Sequence, residues 1–366
     1  MPKKILFSVI NDYVGDRRIQ RIAGFLKESG YEVEILCREL PDSMPADTFG
    51  YPVRRLKLWF IKGKFFYIAF TLRLFWKLLF SKADILVAND LDTLLPNFLV
   101  SKIRKIPLVY DSHEYYTESP EIIHRPLIQK IWLAIERWIF PKLRQAYTVN
   151  ASIAKIYTEM YGVPVQIVRN LPVSQAMPSY HYPEKIKTKV LLYQGALNLG
   201  RGIERMIEMM EYLPEYQLWI IGKGDIETAL KEQAKNAKNV TFWGFQKPAD
   251  LSAFTVLALL GLSLEEDLGK NYHYASPNKI VDYIQTGVPY CCSDLPEMCA
   301  LTETYQTGVV IPAEKRTPKL LAETIRNITE NEEIYHTLYT HCTQAAPVLC
   351  WENEQDKVKA IFDAAH

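Results

Sequence analysis

The stretch VLLYQGALNLGRG, residues 190–202, joins an apolar run to a glycine-rich turn. Its first five residues have the apolar and aromatic character of a buried strand, and a helical spacing follows the turn. Gly195, Gly200 and Gly202 let the backbone approach a phosphate closely, and Arg201 can hold a diphosphate through two parallel hydrogen bonds. The alternative is an ordinary strand-to-helix turn with an exposed arginine. Strand, turn and helix in this order form the repeating unit of a parallel α/β sheet.

Strand-like runs alternate with helical spacings along the whole chain, which predicts an α/β protein with helices on both faces of its sheets. We expect strands at 4–10, 32–37, 53–58, 85–88, 108–111, 147–149 and 165–168, and then at 190–194, 217–221, 240–242, 258–262, 289–292 and 309–311. A polar, proline-bearing stretch separates the two series. We therefore predict a Rossmann-like domain at 1–172, a linker at 173–187 and a second Rossmann-like domain at 188–345. A C-terminal helix at 346–366 is expected to pack back on the first domain.

The composition is that of a soluble globular protein large enough for two domains. The chain has 366 residues, of which 48% are hydrophobic and 23% charged, and its net charge of +1 gives no general attraction to nucleic acid. The six cysteines form no CxxC pair and no zinc spacing with histidines, so we expect reduced thiols and no metal site. No secretory signal is visible, and no uncharged apolar run reaches the roughly 20 residues of a spanning helix. These features favour a cytoplasmic protein.

A second informative stretch is YASPNKIVDYIQTGVP, residues 274–289. Ser276 suits an N-cap and Pro277 the first helical turn, so a helix is expected to begin there. The free backbone N–H groups at that end, together with the charge of Lys279, favour an anion. Asp282 lies one turn further on, where a carboxylate can accept hydrogen bonds from a diol such as ribose. The alternative is a capped helix that simply precedes a buried strand.

These segments, taken together, resemble the retaining glycosyltransferases of family 4, which have the GT-B fold. The stretch 276–289 is the most specific match. Near the start, 16–18 precedes a helix and resembles the acceptor-side loop of the family. The stretches 88–92 and 111–114 resemble the sub-family common in surface-polysaccharide assembly, and 169–172 resembles the segment that closes the first domain.

The resemblance implies two Rossmann-like, doubly wound domains that face each other across a cleft. The first domain would lie on the acceptor side and the second would bind the nucleotide sugar. The implied reaction moves a sugar from a UDP- or GDP-sugar to a hydroxyl of a glycan or lipid-linked glycan, with retention of configuration. No metal ion or other cofactor is implied, because the helix N-terminus and basic side chains neutralise the departing diphosphate.

The family's functional positions can be transferred to this chain. Arg201 and Lys279 would hold the diphosphate, Asp282 the ribose, and His113 would lie near the transferred sugar as a catalytic residue. The implied donor side also includes Gly195, Gly202, Tyr274, Ser276 and Asn278, and the implied acceptor side consists of Asp16, Arg18 and Glu114. For His113 the alternative is a histidine that only orders its loop.

Two positions depart from the family pattern. The family often has an arginine directly after the first glycine of the diphosphate loop, and Ala196 stands there instead, so Arg201 would work with Lys279 alone or with another arginine. The family also has two glutamates separated by seven residues, and counting back from Asp282 reaches Tyr274, which is not acidic. Glu265 and Glu266 lie upstream, and we assign Glu265 as the catalytic substitute. The missing glutamate leaves two alternatives open: a non-catalytic sugar-nucleotide-binding partner in an assembly complex, and a sugar-nucleotide epimerase.

Three aromatic stretches remain. Residues 59–82 combine aromatic and basic side chains, which predicts peripheral contact with the inner face of the cell membrane; the alternative is a helix packed on the first sheet. A second candidate is 127–144. The stretch 242–245, FWGF, is a candidate wall for the donor base, and core packing is the alternative.

Overall fold

The computed structural model describes residues 2–41, 43, 50–60, 63–180, 182–247 and 250–365. The chain forms two compact units. The first comprises Met1–Asn170 with Glu354–His366, and the second comprises Leu171–Asn353. Each unit contains its own all-parallel sheet.

The first unit has a seven-stranded sheet in the order β3-β2-β1-β4-β5-β6-β7. Its strands are β1 (Lys4–Ser8), β2 (Glu32–Arg38), β3 (Val53–Leu56), β4 (Ile85–Asn89), β5 (Leu108–Ser112), β6 (Gln145–Thr148) and β7 (Gln166–Ile167). Its first six helices are α1 (Arg17–Glu28), α2 (Lys64–Leu79), α3 (Leu91–Arg104), α4 (Pro120–Ile123), α5 (Pro126–Ile139) and α6 (Ala151–Tyr161). Every residue of β4 and β5 is buried, as expected for central strands covered on both faces. The strand order reverses between β1 and β4, where ligands of such sheets bind at the carboxyl ends.

The second unit has a six-stranded sheet in the order β10-β9-β8-β11-β12-β13. Its strands are β8 (Val190–Gln194), β9 (Gln217–Ile221), β10 (Val240–Gly244), β11 (Leu260–Ser263), β12 (Tyr290–Ser293) and β13 (Gly308–Ile311). Its helices are α7 (Tyr182–Thr188), α8 (Ile203–Met209), α9 (Glu227–Gln233), α10 (Leu251–Thr255), α11 (Lys270–His273), α12 (Asn278–Gln285), α13 (Pro296–Tyr305), α14 (Pro318–Thr329) and α15 (Glu332–Ala345). The order reverses between β8 and β11, the counterpart of the reversal in the first sheet. The final helix, α16 (Gln355–Asp363), belongs to the first unit.

All the strands expected from the sequence are observed, with bounds that differ by at most two residues. The stretch 173–187, expected as a linker, instead lies in the second unit. The Tyr182 hydroxyl donates to the Thr329 carbonyl oxygen at 2.9 Å, and the Tyr180 ring contacts the Tyr339 ring with centroids 4.8 Å apart. Buried aromatic packing therefore holds a segment whose prolines and polar residues suggested a linker.

The C-terminal region expected at 346–366 divides at Glu354. Before that point the Gln285 side-chain amide donates to the carbonyl oxygens of Ala346 and Leu349, which keeps this part on the second unit. Beyond it, α16 packs on the first unit, where Phe362 contacts Phe7. Across the described residues, no helix is long and apolar enough to cross a membrane.

Candidate active site

The carboxyl ends of β4 and β5 bring a histidine and two aspartates together in the first unit. His113 follows β5, and its ring lies between two carboxylates: Nε2 is 3.0 Å from Asp111 Oδ2, and Nδ1 is 3.3 Å from Asp90 Oδ2. The His113 backbone N–H donates to Asp90 at 2.7 Å. Asp90 has a backbone φ of +61°, a value that residues other than glycine rarely adopt. It contacts His113 from this unusual backbone conformation.

Arg18, on α1, also belongs to this network, because it donates hydrogen bonds to Asp111. The side chain is buried; its Nε and Nη2 donate to Asp111 at 3.0 and 2.8 Å, and its Nη1 donates to the Val168 carbonyl oxygen at 2.6 Å. Burial favours a raised pKa for Asp111, but the charges of Arg18 and His113 outweigh it and lower the pKa to about 2. Burial lowers the pKa of His113, but Asp90 and Asp111 outweigh it and raise the pKa to about 10. The imidazole is therefore protonated at neutral pH.

The three predicted acceptor-side residues take different positions. Asp16 is the N-cap of α1 and accepts from the Ile19 backbone N–H at 3.1 Å. The hydrogen bonds of Arg18 described above are all internal, so the structure gives this residue the task of positioning Asp111. Glu114 is half-buried and adjoins His113. An acceptor role for these residues stays a prediction.

In the second unit, the glycine-rich turn after β8 lies against the segment after β11. Gly202 has a φ of +71°, and a Cβ there would lie 2.1 Å from the Leu264 carbonyl oxygen. Gly195 is packed against Lys279, whose Cε would be 3.3 Å from an added Cβ. The Glu266 backbone N–H donates to the Gly200 carbonyl oxygen at 2.8 Å. Glycines at these positions therefore bring the turn close to both Lys279 and the residues after β11.

This turn places three of the predicted site residues in contact. The Lys279 ammonium is paired with Glu265, and Arg201 Nη1 lies 3.7 Å from the same carboxylate oxygen. Glu265 is only 1% exposed, and its other carboxylate oxygen accepts from the Ser263 hydroxyl at 2.7 Å. The Arg201 guanidinium stacks over the Tyr272 ring, and its Nε is buried with no hydrogen-bond partner among the described residues.

Two cations thus share one buried carboxylate. Burial favours a raised pKa for Glu265, but Lys279 and Arg201 outweigh it and lower the pKa, so the carboxylate is ionised. Burial lowers the pKa of Lys279, and together with the charge of Arg201 it outweighs the opposing effect of Glu265. The cluster carries more positive than negative charge within a buried region, which favours the approach of an anion.

Helix α12 begins one residue later than the sequence suggested. Pro277 occupies the N-cap position with a ψ of 122°, and its side chain makes no capping hydrogen bond. The predicted N-cap role of Ser276 is therefore wrong, because the extended ψ of Pro277 keeps the proline outside the helix and moves the N-cap by one residue. Asn278 is the first helical residue. Tyr274 follows α11, with its ring 4.6 Å from the His273 ring.

A buried tyrosine holds α12 on the sheet. The Tyr283 hydroxyl donates to the carbonyl oxygens of Leu192 in β8 and Leu262 in β11, at 3.0 and 3.2 Å. Gly261 leaves room for this ring, since a Cβ there would lie 2.4 Å from it. Lys279, one turn earlier, is thereby kept beside the carboxyl ends of the two strands.

Asp282, the predicted ribose ligand, is held at the edge of the same sheet. The Gln194 side-chain amide, at the end of β8, donates to Asp282 at 3.1 Å. The Gln194 amide oxygen accepts from the Thr255 hydroxyl at 2.9 Å, which fixes the orientation of the amide. Asp282 is half-buried.

Sequence reasoning missed Arg316. Its Nη1 donates to the Glu265 backbone carbonyl oxygen at 3.1 Å and to the Ser293 hydroxyl at 2.9 Å. Ser293, at the end of β12, donates to the same Glu265 carbonyl at 2.6 Å. No local motif marks Arg316, which precedes α14 and lies 51 residues after Glu265. In the described part of the chain, no three His, Cys, Asp or Glu side chains are grouped to hold a metal ion.

Family models match both units. The model described as Glycosyltransferase Family 4 matches residues 15–171, and the model described as Glycosyl transferases group 1 matches residues 188–331. The matches follow one another along the chain, and each covers most of one sheet. Together the two matches show that the chain is a family 4-like glycosyltransferase.

Solved structures show the fold of this glycosyltransferase. HepE from Anabaena, in complex with UDP and glucose, gives a TM-score of 0.75 at 16% identity and covers 99% of each chain. Sucrose-phosphate synthase from Thermosynechococcus elongatus gives 0.78 at 14% identity, covering 99% of this chain and 98% of that one. WaaG, a glycosyltransferase involved in lipopolysaccharide biosynthesis, gives 0.73 at 17% identity, covering 98% and 99%. The predicted GT-B fold class is confirmed. No curated protein sequence matches this glycosyltransferase.

Proposed function

We propose that this glycosyltransferase moves a sugar from a UDP- or GDP-sugar to a hydroxyl of a glycan or lipid-linked glycan, with retention of configuration and without a metal ion. The bond from the sugar C1 to the diphosphate oxygen breaks and a bond from C1 to the acceptor oxygen forms. The acceptor proton leaves with the released nucleoside diphosphate. In this proposal the second unit holds the donor and the first unit the acceptor.

The observation that carries the proposal is the cluster of Glu265, Lys279 and Arg201 beneath the glycine-rich turn. Charge develops on the diphosphate as the sugar leaves, and buried cations aimed at that charge stabilise the transition state most. A bound diphosphate would supply the second negative charge that the two cations lack. It would also raise the lowered pKa of Lys279 and offer an acceptor to the buried Nε of Arg201.

Support for a nucleotide sugar also comes from HepE, which has been crystallised with UDP, with UDP and glucose, and with UDP-glucose. We assign the base to the side of β10. Phe245 is 55% exposed and lies under the Lys223 ammonium, and Trp243 is 41% exposed and packs edge-on against Trp219. Exposed rings at a carboxyl strand end suit stacking with a base.

His113 has a positioning role in this proposal. Both of its ring nitrogens contact carboxylates and its pKa is raised, so it lacks the free lone pair that a general base needs at neutral pH. We assign it a fixed positive charge at the carboxyl end of β5. Glu265, with a lowered pKa, likewise acts as an anion that holds Lys279 and Arg201 rather than as an acid.

Donor binding tests this function directly. UDP, GDP, CMP, ADP and NAD are compared for thermal stabilisation of the purified protein in the presence of EDTA. A nucleoside diphosphate at 100 times its dissociation constant should stabilise the fold by about 2.7 kcal/mol. The shift should vanish in Lys279→Ala and persist in Lys319→Ala, which changes an exposed lysine of α14, if the cluster binds the diphosphate. A shift that requires added Mg²⁺ would contradict metal independence, and a shift unchanged in Lys279→Ala would contradict the site.

The first unit also exposes an apolar surface, here called the aromatic face. It consists of exposed side chains on or next to α2 and on α5: Phe65, Ile68, Leu72, Trp76 and Phe80, with Leu127, Ile128, Ile131 and Trp138. The opposite side of α2 is buried through Phe66, Phe70, Leu74 and Leu78. A helix that is apolar on both sides packs on the protein with one face and needs an apolar surrounding for the other.

Basic side chains lie among these residues. Arg73 and Lys77 are exposed on α2, and Lys82 follows it. Residues 61–62 of the predicted 59–82 region lie outside the described residues. We propose that the aromatic face rests on an anionic membrane surface, where a lipid-linked acceptor would be found, and that its cations contact the head groups.

Vesicle flotation tests the membrane contact. The wild-type protein should float with phosphatidylglycerol-containing vesicles. Leu72→Ser with Trp76→Ser should weaken binding by more than about tenfold, since each buried apolar side chain contributes about 1.5–3 kcal/mol. Leu320→Ser with Ile334→Ser, which changes exposed apolar residues of the second unit, is the matched control. Failure of the wild type to float would contradict the proposal.

A further inference from the structure

A cavity of about 590 Å³ opens at the amino ends of β5 and β6, the edge of the first sheet opposite to His113. It lies beside the end of α3 and beneath the segment that joins α5 to β6. Four of the residues around it are cations, namely Lys102, Lys105, Lys142 and Arg144. This basic cavity has no part in the proposed transfer, because it lies at the amino ends of the strands.

Among the described residues, no carboxylate balances the charges around the basic cavity. No Asp or Glu is present among the described residues that line it. The four cations are exposed, and within the described ranges none of them has a carboxylate oxygen in ion-pair distance. By contrast, Arg104 on the same helix is engaged, and donates to the Leu78 carbonyl oxygen and the Ser81 hydroxyl. Several unpaired cations around one hollow attract an anionic group that can accept several hydrogen bonds, such as a phosphate.

Apart from Ser101 and Gln145, the remaining residues around the basic cavity are apolar or aromatic. They include Phe98, Ile106, Pro107, Leu108, Leu143, Ala364 and Ala365. The Lys102 ammonium lies 5.2 Å from the centre of the Phe98 ring, and the Lys142 ammonium lies 4.8 Å from that of Trp138. A floor without charges beneath a cationic rim suits a ligand with an anionic head and a hydrocarbon part.

The basic cavity is continuous with the aromatic face. Phe98, in its wall, makes an edge-to-face contact with Trp138, which belongs to the aromatic face. Trp138 is 47% exposed, so the same ring borders both surfaces. A ligand that extends from the cavity past this ring therefore reaches the surface assigned to the membrane.

We propose that the basic cavity binds the phosphate of a lipid head group, with the four cations on the phosphate and the apolar floor against the glycerol and the first acyl carbons. The lipid part of this inference rests on the proposed membrane contact; the phosphate site does not. The cavity thus gives the protein a preference for phosphate-bearing anionic lipid, beyond the general attraction of a basic surface.

Two kinds of probe separate the phosphate site from the membrane. Glycerol 3-phosphate, a soluble head-group analogue, is titrated by calorimetry. Vesicles of phosphatidylcholine, with and without phosphatidylglycerol, are used in flotation. The wild type should bind glycerol 3-phosphate saturably at one site and should float better with phosphatidylglycerol. Donor hydrolysis without membranes should stay at the wild-type rate in every variant, so a failure of the transferase proposal is seen independently.

The decisive variant carries Lys102→Ala, Lys105→Ala, Lys142→Ala and Arg144→Ala. Its affinity for both probes should fall by at least about tenfold, as expected for the loss of charge-assisted contacts to a phosphate. The double variant Lys142→Ala with Arg144→Ala should lose most of this affinity. Its matched control is Lys130→Ala with Arg137→Ala, which removes two exposed cations from α5 outside the cavity.

Three outcomes would overturn the inference. One is the absence of saturable glycerol 3-phosphate binding to the wild type. Another is an equal loss in the control pair and the cavity pair, which would show only general electrostatic attraction. The third is binding of glycerol 3-phosphate with no preference for phosphatidylglycerol vesicles, which would make the ligand a soluble phosphate ester.

Discussion

The two units each hold a buried cluster of charges at the carboxyl ends of their strands, but the clusters are balanced differently. In the first unit the cations of Arg18 and His113 face the carboxylates of Asp90 and Asp111. In the second unit the cations of Arg201 and Lys279 share Glu265 alone. The first cluster satisfies its own charges, whereas the second has one cation more than it has carboxylates.

The difference indicates which cluster is built to receive a ligand. A buried, internally paired network mainly fixes the conformation of the loops that carry it, and removing one partner leaves an uncompensated charge. A buried cluster with excess positive charge becomes fully compensated only when an anion binds. Four changes test this contrast, from the largest expected effect to the smallest.

Arg18→Met should destabilise the protein most. It leaves the buried Asp111 carboxylate without its main partner, and breaking a buried ion pair in this way costs about 3–5 kcal/mol. Urea denaturation, with fluorescence as the readout, measures the loss. Arg17→Met changes the neighbouring, half-buried arginine and should cost less than about 0.5 kcal/mol. If the two variants lost equal free energy of unfolding, the buried ion pair of Arg18 would contribute no more than the half-buried Arg17.

Lys279→Ala should lower donor turnover about 10²- to 10³-fold, as expected when one group that stabilises a departing anion is removed. The double variant Lys279→Gln with Glu265→Gln removes the buried pair but leaves Arg201 without its carboxylate, so turnover should stay low and stability should not exceed that of Lys279→Ala. Initial rates and thermal melting are measured on both. The control is Arg205→Ala, which removes the partner of Glu266 next to the cluster. Recovery of turnover in the double variant would mean that Lys279 only neutralises Glu265.

The first cluster should make the free energy of unfolding depend on pH in the alkaline range. The folded pKa of His113 is about 10 against an ordinary 6.5, so its contribution is complete below pH 6.5 and is lost as the pH rises toward 10. About 3 kcal/mol should therefore disappear between pH 6.5 and 9. Urea denaturation at several pH values measures this, with His113→Gln as the variant that should lack the slope. A parallel slope in the variant would mean that other groups titrate.

Asp282→Asn should have the smallest effect. If Asp282 accepts a hydrogen bond from the ribose, the donor KM should rise about tenfold while kcat changes little, because that contact is equally strong before and during the reaction. Steady-state kinetics with varied donor measure both constants. Thr255→Val is a useful comparison, since it releases the Gln194 amide that holds Asp282 and should move KM in the same direction by less. A fall in kcat at unchanged KM would assign Asp282 to the chemical step.

Much of the fold could be predicted from the sequence because strands and helices follow local periodicity. Every expected strand is present, and the junction between β8 and the turn at Gly195 is visible in residues 190–202. The N-cap predicted at Ser276 is wrong because Pro277 has an extended ψ and itself precedes the first helical residue. The stretch 173–187 suggested a linker because its prolines are local signals, while the packing of Tyr180 and Tyr182 depends on residues far along the chain.

The alternation of strands and helices, the glycine-rich turn and the family resemblance can be read from the sequence alone, because each is a property of neighbouring residues. Which charges meet depends on the tertiary structure. Glu265 pairs with Lys279 across 14 positions, and Arg18 with Asp111 across 93. Arg316 reaches the Glu265 carbonyl from a part of the chain with no motif. Such pairs are set by which strand ends lie side by side, and strand order is a property of the whole fold rather than of any segment.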